Sequence, residues 1–119
     1  MIVGTGIDII EMKRIKQVAQ HQVRFADRIL TTFELGKFNA LSGNRKFEYL
    51  AGRFSAKEAM AKALGVGIGA ELSWHDMEII SDEKGKPFIS SPYPYVCHLS
   101  ISHTKEYAVA QVILESSSS

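Results

Sequence analysis

The sequence predicts a single α+β domain in which helices, one of them long, pack on a mainly antiparallel sheet. The 119 residues are 45% hydrophobic, a composition that suits one domain with its own core. Helical patterns fill most of the first half, and short strand patterns separated by turns fill the second. We assign residues 1–115 to one domain and expect the four serines at 116–119 to fray.

The chain is predicted to open with a strand and a helix. Residues 1–9 are apolar and spaced by glycines, as in a buried strand, which should end near Asp8. Apolar residues then recur every three positions over residues 11–20, which predicts a helix.

Two more helices are predicted before the middle of the chain. Thr31 and Glu34 have the spacing of a capping box, so a short helix should follow and run to about residue 41. After a Ser-Gly-Asn break, a long helix is predicted over residues 45–64. Gly65 can take the left-handed conformation that ends a helix.

The remainder is predicted to form strands. Residues 65–69 should be a loop, and residues 77–80 alternate as a strand does. Turn-forming residues at 82–87 precede a return to extended structure at 88–89. Two last strands are expected around residues 96–102 and 107–115.

Charge and cysteine content exclude several classes of protein. The net charge is only +1, so we expect no nucleic-acid partner, because such proteins usually present a broad positive surface. No apolar run reaches the roughly 18 residues of a membrane span, and no signal-peptide pattern is present, so we expect a cytoplasmic protein without a membrane partner. The single cysteine, Cys97, lies in a strand-like run and cannot form an intramolecular disulfide.

Glu58 is an unusual residue in the long helix, because it lies within an apolar stripe. At about 100° per residue, the stripe consists of Phe47, Leu50, Ala51, Phe54, Ala61 and Gly65. A carboxylate in such a place needs a partner. Lys62, one turn later, is one candidate, and a metal ion is the other. Helix geometry alone favours the ion pair.

Asp8 favours a metal ion over Lys62 as the partner of Glu58. A carboxylate at a strand end often faces a cleft, and two separated carboxylates completed by water and phosphate oxygens are the usual magnesium arrangement. Lys57 and Lys62 bracket Glu58, and Arg53 precedes Lys57 by one turn, so cations that could meet phosphate accompany the carboxylates. Asp8, Glu58 and Lys62 together indicate phosphoryl chemistry.

Other motifs are less decisive. The glycines at 65, 67 and 69 follow a helix and do not open one, so neither a dinucleotide fingerprint nor a P-loop is present. Residues 100–104 end a strand with hydroxyls and His103, which could bind phosphate. Residues 13–28 contain five basic residues and one acidic residue, a pattern that fits a docking surface but, taken alone, favours a solvated helix face.

Three segments resemble the signatures of bacterial holo-acyl-carrier-protein synthases, the short trimeric class of 4′-phosphopantetheinyl transferases. They are residues 6–15 (GIDIIEMKRI), residues 53–65 (RFSAKEAMAKALG) and residues 99–104 (LSISHT), the last followed by Tyr107-Ala108. The resemblance covers nearly the whole chain. Val66 departs from it, since similar proteins often have threonine there.

This resemblance implies transfer of the 4′-phosphopantetheine arm of coenzyme A to a serine of apo acyl carrier protein, with release of adenosine 3′,5′-bisphosphate. It implies that Asp8 and Glu58 bind Mg²⁺ and act in catalysis with Lys62. The serine proton would pass to a metal-bound water or to Glu58, a choice that the sequence leaves open. It also implies a homotrimer with active sites between subunits.

The resemblance extends to substrate contacts. Coenzyme A is expected to meet Arg53, Lys57, Lys62, Gly65, His103 and Thr104, and its adenosine 3′-phosphate end to meet Gly85, Lys86, Pro87, Arg45 and Lys46. The acidic carrier is expected to dock on Arg14, Arg24, Phe25 and Arg28.

Two alternatives come from other classes of protein. One is a different magnesium-dependent phosphoryl or nucleotidyl enzyme that uses the same Asp8 and Glu58 pair. The other is a non-catalytic module that docks an acidic protein through residues 13–28, although such a module would not need Glu58 in an apolar stripe.

Overall fold

A computed structural model describes residues 1–117. Its elements are β1 (Ile2–Glu11), α1 (Met12–His21), α2 (Phe25–Ile29), α3 (Thr32–Ala40), α4 (Asn44–Leu64), a 3₁₀ helix (Trp74–Asp76), β2 (Glu78–Ser81), β3 (Pro87–Ser90), β4 (Tyr95–His103) and β5 (Tyr107–Ser116).

The strands form two antiparallel sheets, and the predicted α+β class is confirmed. The main sheet has the order β1-β5-β4, while β2 and β3 pair with each other. The register places Asp8 beside Ala110, and both Ile10 and His103 beside Ala108. Because side chains alternate along a strand, these residues share the face of the sheet that α4 covers.

Two glycines bring β1 unusually close to α4. A Cβ at Gly4 would overlap the carbonyl oxygen of Ala63, and a Cβ at Gly6 would overlap that of Ala59. Only a residue without a side chain permits this approach. Asp8 is the next residue of β1 on the same face, so the close contact brings its carboxylate against α4.

Apolar cores lie on two sides of α4. The first is between α4 and the sheets and includes Ala59, Met60, Leu72, Met77, Ile79, Val112 and Leu114. The second is between α4 and the three shorter helices and includes Ile15, Ile29, Leu30, Phe38 and Leu50. Among residues 1–117, no helix is long and apolar enough to cross a membrane.

One predicted helix start is confirmed, whereas the predicted ends of β1 and of the ordered chain differ from the observed ones. The capping box is confirmed, since the Glu34 backbone N–H donates to Thr31 Oγ1 and the Thr31 N–H donates to Glu34 Oε1. β1 continues two residues beyond residue 9. The expected fraying is wrong for Ser116, which ends β5 and donates its N–H to the Met1 carbonyl at 2.9 Å. Ser118 and Ser119 lie outside the described residues.

Candidate active site

Asp8 and Lys62 meet where β1 passes beneath the last turns of α4. Lys62 Nζ lies 3.2 Å from Asp8 Oδ1 and donates a second hydrogen bond to the Ile7 carbonyl at 3.0 Å. The Asp8 side chain is 14% exposed, whereas that of Lys62 is 54% exposed. The ammonium of Lys62 therefore stands at the rim of the site with one side open to solvent.

Glu58 is half-buried beside this pair. Burial raises the pKa of Glu58, the negative charge of Asp8 raises it further, and the positive charge of Lys62 opposes both effects. Glu58 lies one turn before Lys62 on α4, and Lys62 contacts Asp8, so both carboxylates are on the same side of the helix. The hydrogen bonds of Lys62 go to β1, so the ion pair between Glu58 and Lys62 favoured by helix geometry is not the observed arrangement.

One oxygen of this site lacks a partner. Asp8 Oδ2 is buried and accepts no hydrogen bond from residues 1–117. A buried carboxylate oxygen left alone is costly, so the site is better satisfied with a cation present. Residues 1–117 hold no cluster of three or more His, Cys, Asp and Glu side chains that could cage an ion. Two carboxylates beside open solvent suit Mg²⁺, which keeps several waters and seldom uses a full protein cage.

Lys57 does not lie at this site, and the structure does not bring it together with the other residues expected to contact coenzyme A. Its side chain is fully buried, and Nζ donates to the Ile29 carbonyl (2.7 Å), Glu34 Oε1 (2.6 Å) and the Trp74 carbonyl (3.2 Å). Burial lowers the pKa of Lys57, and the carboxylate of Glu34 opposes that effect. An ammonium group has three hydrogens, and all three are used inside the protein.

Arg53 lies on the same flank of α4 as Lys57. Its guanidinium carbon is 3.9 Å from the centroid of the Tyr49 ring, and its Nε is buried without a hydrogen-bond partner among residues 1–117. Arg53 precedes Glu58 by five positions, which turns their side chains about 140° apart around the helix. The structure does not bring Arg53 together with the two carboxylates.

Three other residues expected to contact coenzyme A lie at the ends of two elements: Gly65 at the end of α4, and His103 and Thr104 at the end of β4. Gly65 ends α4 in the left-handed conformation, with φ of 73°, and the next residue, Val66, packs against the first core. His103 ends β4, is exposed and shares the sheet face of Asp8. Thr104 Oγ1 accepts the N–H groups of the two residues that begin the return to β5, so this hydroxyl also shapes the turn.

The residues expected at the adenosine 3′-phosphate lie elsewhere on the chain. Arg45 and Lys46 are in the first turn of α4, about 20 Å along the helix axis from Glu58 at 1.5 Å per residue. Gly85 has φ of 81° in the turn between β2 and β3. Lys86 and Pro87 line a cavity of about 330 Å³ that also includes His98, Ser100 and Gln111. By the sheet register, these last three side chains belong to the face of the main sheet away from α4.

The basic segment at the front of the chain borders the site. Asp8, Arg14, Phe25 and Phe54 line a cavity of about 310 Å³, together with Ile9, Ile10, Ile15 and Val18. The rings of Phe25 and Phe54 are 6.1 Å apart, so Phe25 is half-buried against α4. Arg14, Arg24 and Arg28 are exposed, and within residues 1–117 none of them forms an ion pair.

Comparison with known proteins identifies the family. The family model described as the 4′-phosphopantetheinyl transferase superfamily matches residues 4–112. The chain belongs to this superfamily. A holo-[acyl-carrier-protein] synthase of Halalkalibacterium halodurans is 54% identical over 119 residues, which is all of both chains. The chain is therefore an enzyme of the holo-[acyl-carrier-protein] synthase family, as its signature segments predicted.

Solved structures of this family superpose closely on the transferase described here. A holo-(acyl-carrier-protein) synthase from Bacillus anthracis in complex with CoA (3′,5′-ADP) has a TM-score of 0.93 and 52% identity, and the match covers 98% of this chain and 99% of that one. A Helicobacter pylori synthase in complex with coenzyme A has a TM-score of 0.81 and 34% identity, with 93% and 99% covered.

Sequence reasoning missed two features that support the site. The first is the contact through Gly4 and Gly6, although the alternation Gly-x-Gly-x-Asp over residues 4–8 is a usable signal for glycines facing a helix. The second is the buried pair of Lys57 and Glu34, for which the sequence offered no comparable signal because the two residues belong to different helices.

Proposed function

We propose that this transferase moves the 4′-phosphopantetheine arm of coenzyme A to a serine of apo acyl carrier protein and releases adenosine 3′,5′-bisphosphate in a magnesium-dependent reaction. The observation that carries the proposal is the buried Asp8 Oδ2, which has no partner among residues 1–117 and lies on the side of α4 that Glu58 shares with Lys62. The Bacillus anthracis relative, whose complex is with CoA (3′,5′-ADP), supports the choice of substrate.

Asp8 and Glu58 are the residues that would hold Mg²⁺. A bound Mg²⁺ would supply positive charge to the pyrophosphate oxygens and to the leaving bisphosphate. The site supports this, because Asp8 Oδ2 has no hydrogen-bond partner among residues 1–117 and the exposed side at Lys62 leaves room for water and phosphate.

Lys62 is the residue best placed to touch the transferred phosphate. Its ammonium is exposed, and its two hydrogen bonds to β1 leave the third hydrogen free for a ligand oxygen. A fixed cation beside the reacting phosphorus stabilises the charge that develops during transfer. Gly65, His103 and Thr104 remain candidates for further phosphate contacts.

The reaction requires one proton transfer. The serine oxygen attacks the phosphorus that carries the pantetheine arm, the bond from that phosphorus to the bisphosphate oxygen breaks, and the serine hydroxyl loses its proton. Glu58 and a water molecule at the site are the two candidate acceptors.

Arg14, Arg24, Phe25 and Arg28 form the proposed carrier-docking patch. The absence of ion pairs at its arginines within residues 1–117 leaves their charge available to an acidic partner. The patch borders the cavity that Asp8 lines, so a docked carrier could present its serine to the two carboxylates.

We also propose a homotrimer with sites between subunits. Ile7 and Ile9 are 59% and 61% exposed on the sheet face away from α4, which supports a second copy of the chain as their partner. The distance of Arg45 and Lys46 from Glu58 supports a site completed by a neighbour. Sedimentation equilibrium should give three times the chain mass, and Ile9→Glu should lower it.

The transfer reaction is tested by weighing the carrier. Incubation of the enzyme with apo carrier, coenzyme A and MgCl₂ should add the mass of one phosphopantetheinyl group to the carrier. Adenosine 3′,5′-bisphosphate should form only when apo carrier is present, and EDTA or a carrier with its serine changed to alanine should abolish both signals. Release of the bisphosphate without a carrier would favour a different phosphoryl enzyme.

The docking patch is tested by charge reversal. Arg24→Glu and Arg28→Glu should each raise the apparent KM for carrier by about 10-fold, chiefly through a slower association rate, and leave coenzyme A binding unchanged. Exposed charges are screened over about 10 Å at 0.1 M salt, so added salt should reduce the difference. Lys37→Glu on α3 is the matched control, and an equal effect there would place docking elsewhere.

A further inference from the structure

A buried ion pair anchors α4 one residue before Glu58. Lys57 and Glu34 are both fully buried, with 2.6 Å between Nζ and Oε1. Lys57 also reaches the carbonyl groups of Ile29, at the end of α2, and of Trp74, in the 3₁₀ helix. This one side chain therefore ties α4 to three other elements of the domain.

Glu34 extends the connection to the small sheet. Its Oε1 accepts the Thr31 N–H at 2.9 Å as well as the Lys57 ammonium, and its Oε2 accepts the Ile79 N–H of β2 at 2.7 Å. Thr31 Oγ1 in turn donates to Glu78 Oε2 at 2.6 Å. Every polar atom of the Lys57 and Glu34 side chains has a partner, as a buried network requires.

Three consecutive residues of α4 therefore face three different environments. Lys57 faces the buried network, Glu58 lies one turn before Lys62 on the side of α4 that contacts Asp8, and Ala59 presents its backbone carbonyl to Gly6 of β1. Neighbouring side chains point about 100° apart around a helix, so Glu58 lies between two fixed contacts. A rotation of α4 would have to break one of these contacts before it could turn Glu58 away.

We infer that Lys57 and Glu34 are positioning residues that hold the rotation of α4 and so keep Glu58 aimed at Asp8. The inference rests on the proposed function of those two carboxylates. Stability alone is a poor explanation for the pair, because well-packed apolar side chains often replace a buried ion pair without loss. A network that joins four elements to the turn of α4 next to Glu58 instead fixes the rotation of that turn, and so the direction in which Glu58 points.

The test compares variants that lose the pair with one that only loses stability. The double variant Glu34→Gln/Lys57→Met removes both charges at similar volume, whereas Glu34→Gln alone leaves the buried Lys57 ammonium without its counter-charge. Leu50→Ala, in the second core on the same helix, is the matched destabilised control. Three measurements are made well below every melting temperature: Mg²⁺ affinity by titration calorimetry, kcat, and KM for coenzyme A.

If Lys57 and Glu34 position Glu58, the pair variants should lose Mg²⁺ affinity and kcat, whereas the destabilised control should not. Both pair variants should bind Mg²⁺ about 10-fold more weakly, the scale seen when groups supporting a metal ligand are removed, and kcat should fall by a similar factor with KM for coenzyme A nearly unchanged. Leu50→Ala should keep its Mg²⁺ affinity within about twofold, because it leaves those groups in place.

Other outcomes would overturn the inference. Unchanged Mg²⁺ affinity and kcat in a folded pair variant would assign the pair to stability alone, and so would failure of both pair variants to fold. An unaltered enzyme that neither binds Mg²⁺ nor modifies the carrier would instead contradict the proposed function.

Discussion

Two of the three lysines of helix α4, five positions apart, pair with carboxylates in opposite ways. Lys57 lies 2.6 Å from Glu34 with both side chains fully buried, and Lys62 lies 3.2 Å from Asp8 with 54% of its own side chain exposed. The buried pair has every hydrogen bond satisfied. The exposed pair includes Asp8 Oδ2, which has no partner among residues 1–117.

The difference separates a structural pair from a functional one. A satisfied, water-free pair has no capacity left for a ligand, and breaking it is expected to cost about 3–5 kcal/mol of unfolding free energy. An exposed pair contributes at most about 1 kcal/mol to stability. Its unsatisfied oxygen and open ammonium are therefore better explained by a ligand that binds there during the reaction.

The largest expected effect is the loss of either carboxylate of the site. Asp8→Ala and Glu58→Ala should each lower the rate of carrier modification by about 10³-fold or more, because a two-ligand magnesium site cannot hold its ion after losing one ligand. Thermal melting in metal-free buffer should show an intact fold. Glu58→Gln should also fail, because it keeps the shape and removes the charge, and substantial activity in that variant would remove Glu58 from the metal site.

Lys62→Ala should have the next largest effect, and it should fall on turnover. Loss of a charged contact to the reacting phosphate is expected to lower kcat by about 10²-fold. The unfolding free energy should change by less than about 1 kcal/mol, as for an exposed ion pair. Stopped assays of carrier mass and urea unfolding would measure the two quantities. Lower stability with unchanged turnover would instead make Lys62 a simple partner of Asp8.

Most of the fold could be predicted because its signals are local. The capping box at Thr31 and Glu34 and the left-handed stop at Gly65 are each contained in a few adjacent residues. Helix α2 was missed because its five residues are too few to show helical periodicity.

The site was harder to predict because its contacts join distant parts of the chain. The apolar stripe assigned to α4 includes Phe47 and Phe54, which are only half-buried. The fully buried residues of the helix are mostly small, and Lys57 lies among them. Its partner, Glu34, is on another helix, and Asp8 rather than Glu58 holds Lys62, so helix spacing alone could not identify either pair.

Gly6→Ala should disturb the exposed pair while leaving the buried one in place. The added methyl overlaps the Ala59 carbonyl oxygen, so β1 must move away from α4 just before Asp8. Overpacking of this kind is expected to cost about 1–3 kcal/mol, and Mg²⁺ affinity should fall with it. Gly36→Ala is the matched control, since a Cβ there meets nothing within 4 Å in helix α3. It should be neutral or stabilising, and equal losses in both variants would show that the close approach has no special role.

The smallest expected effect is a rise in stability when Glu58 loses its charge in metal-free buffer. Burial and Asp8 raise the pKa of Glu58 above its unfolded value, so the folded state binds this proton more tightly and loses stability as pH rises through the raised pKa. Glu58→Gln has no such proton to lose. Its melting temperature in EDTA should exceed that of the unaltered enzyme by a few degrees near about pH 8, and the difference should narrow toward about pH 4.5, near the ordinary pKa of glutamate. The effect stays small because Glu58 is only half-buried and water screens its charge.

MgCl₂ should stabilise the unaltered enzyme and not the Glu58→Gln variant, because only the former retains both carboxylates. A variant less stable than the unaltered enzyme near pH 8 would mean that the charge of Glu58 stabilises the fold. The contrast between the structural pair of Lys57 and Glu34 and the functional site at Asp8 would then fail.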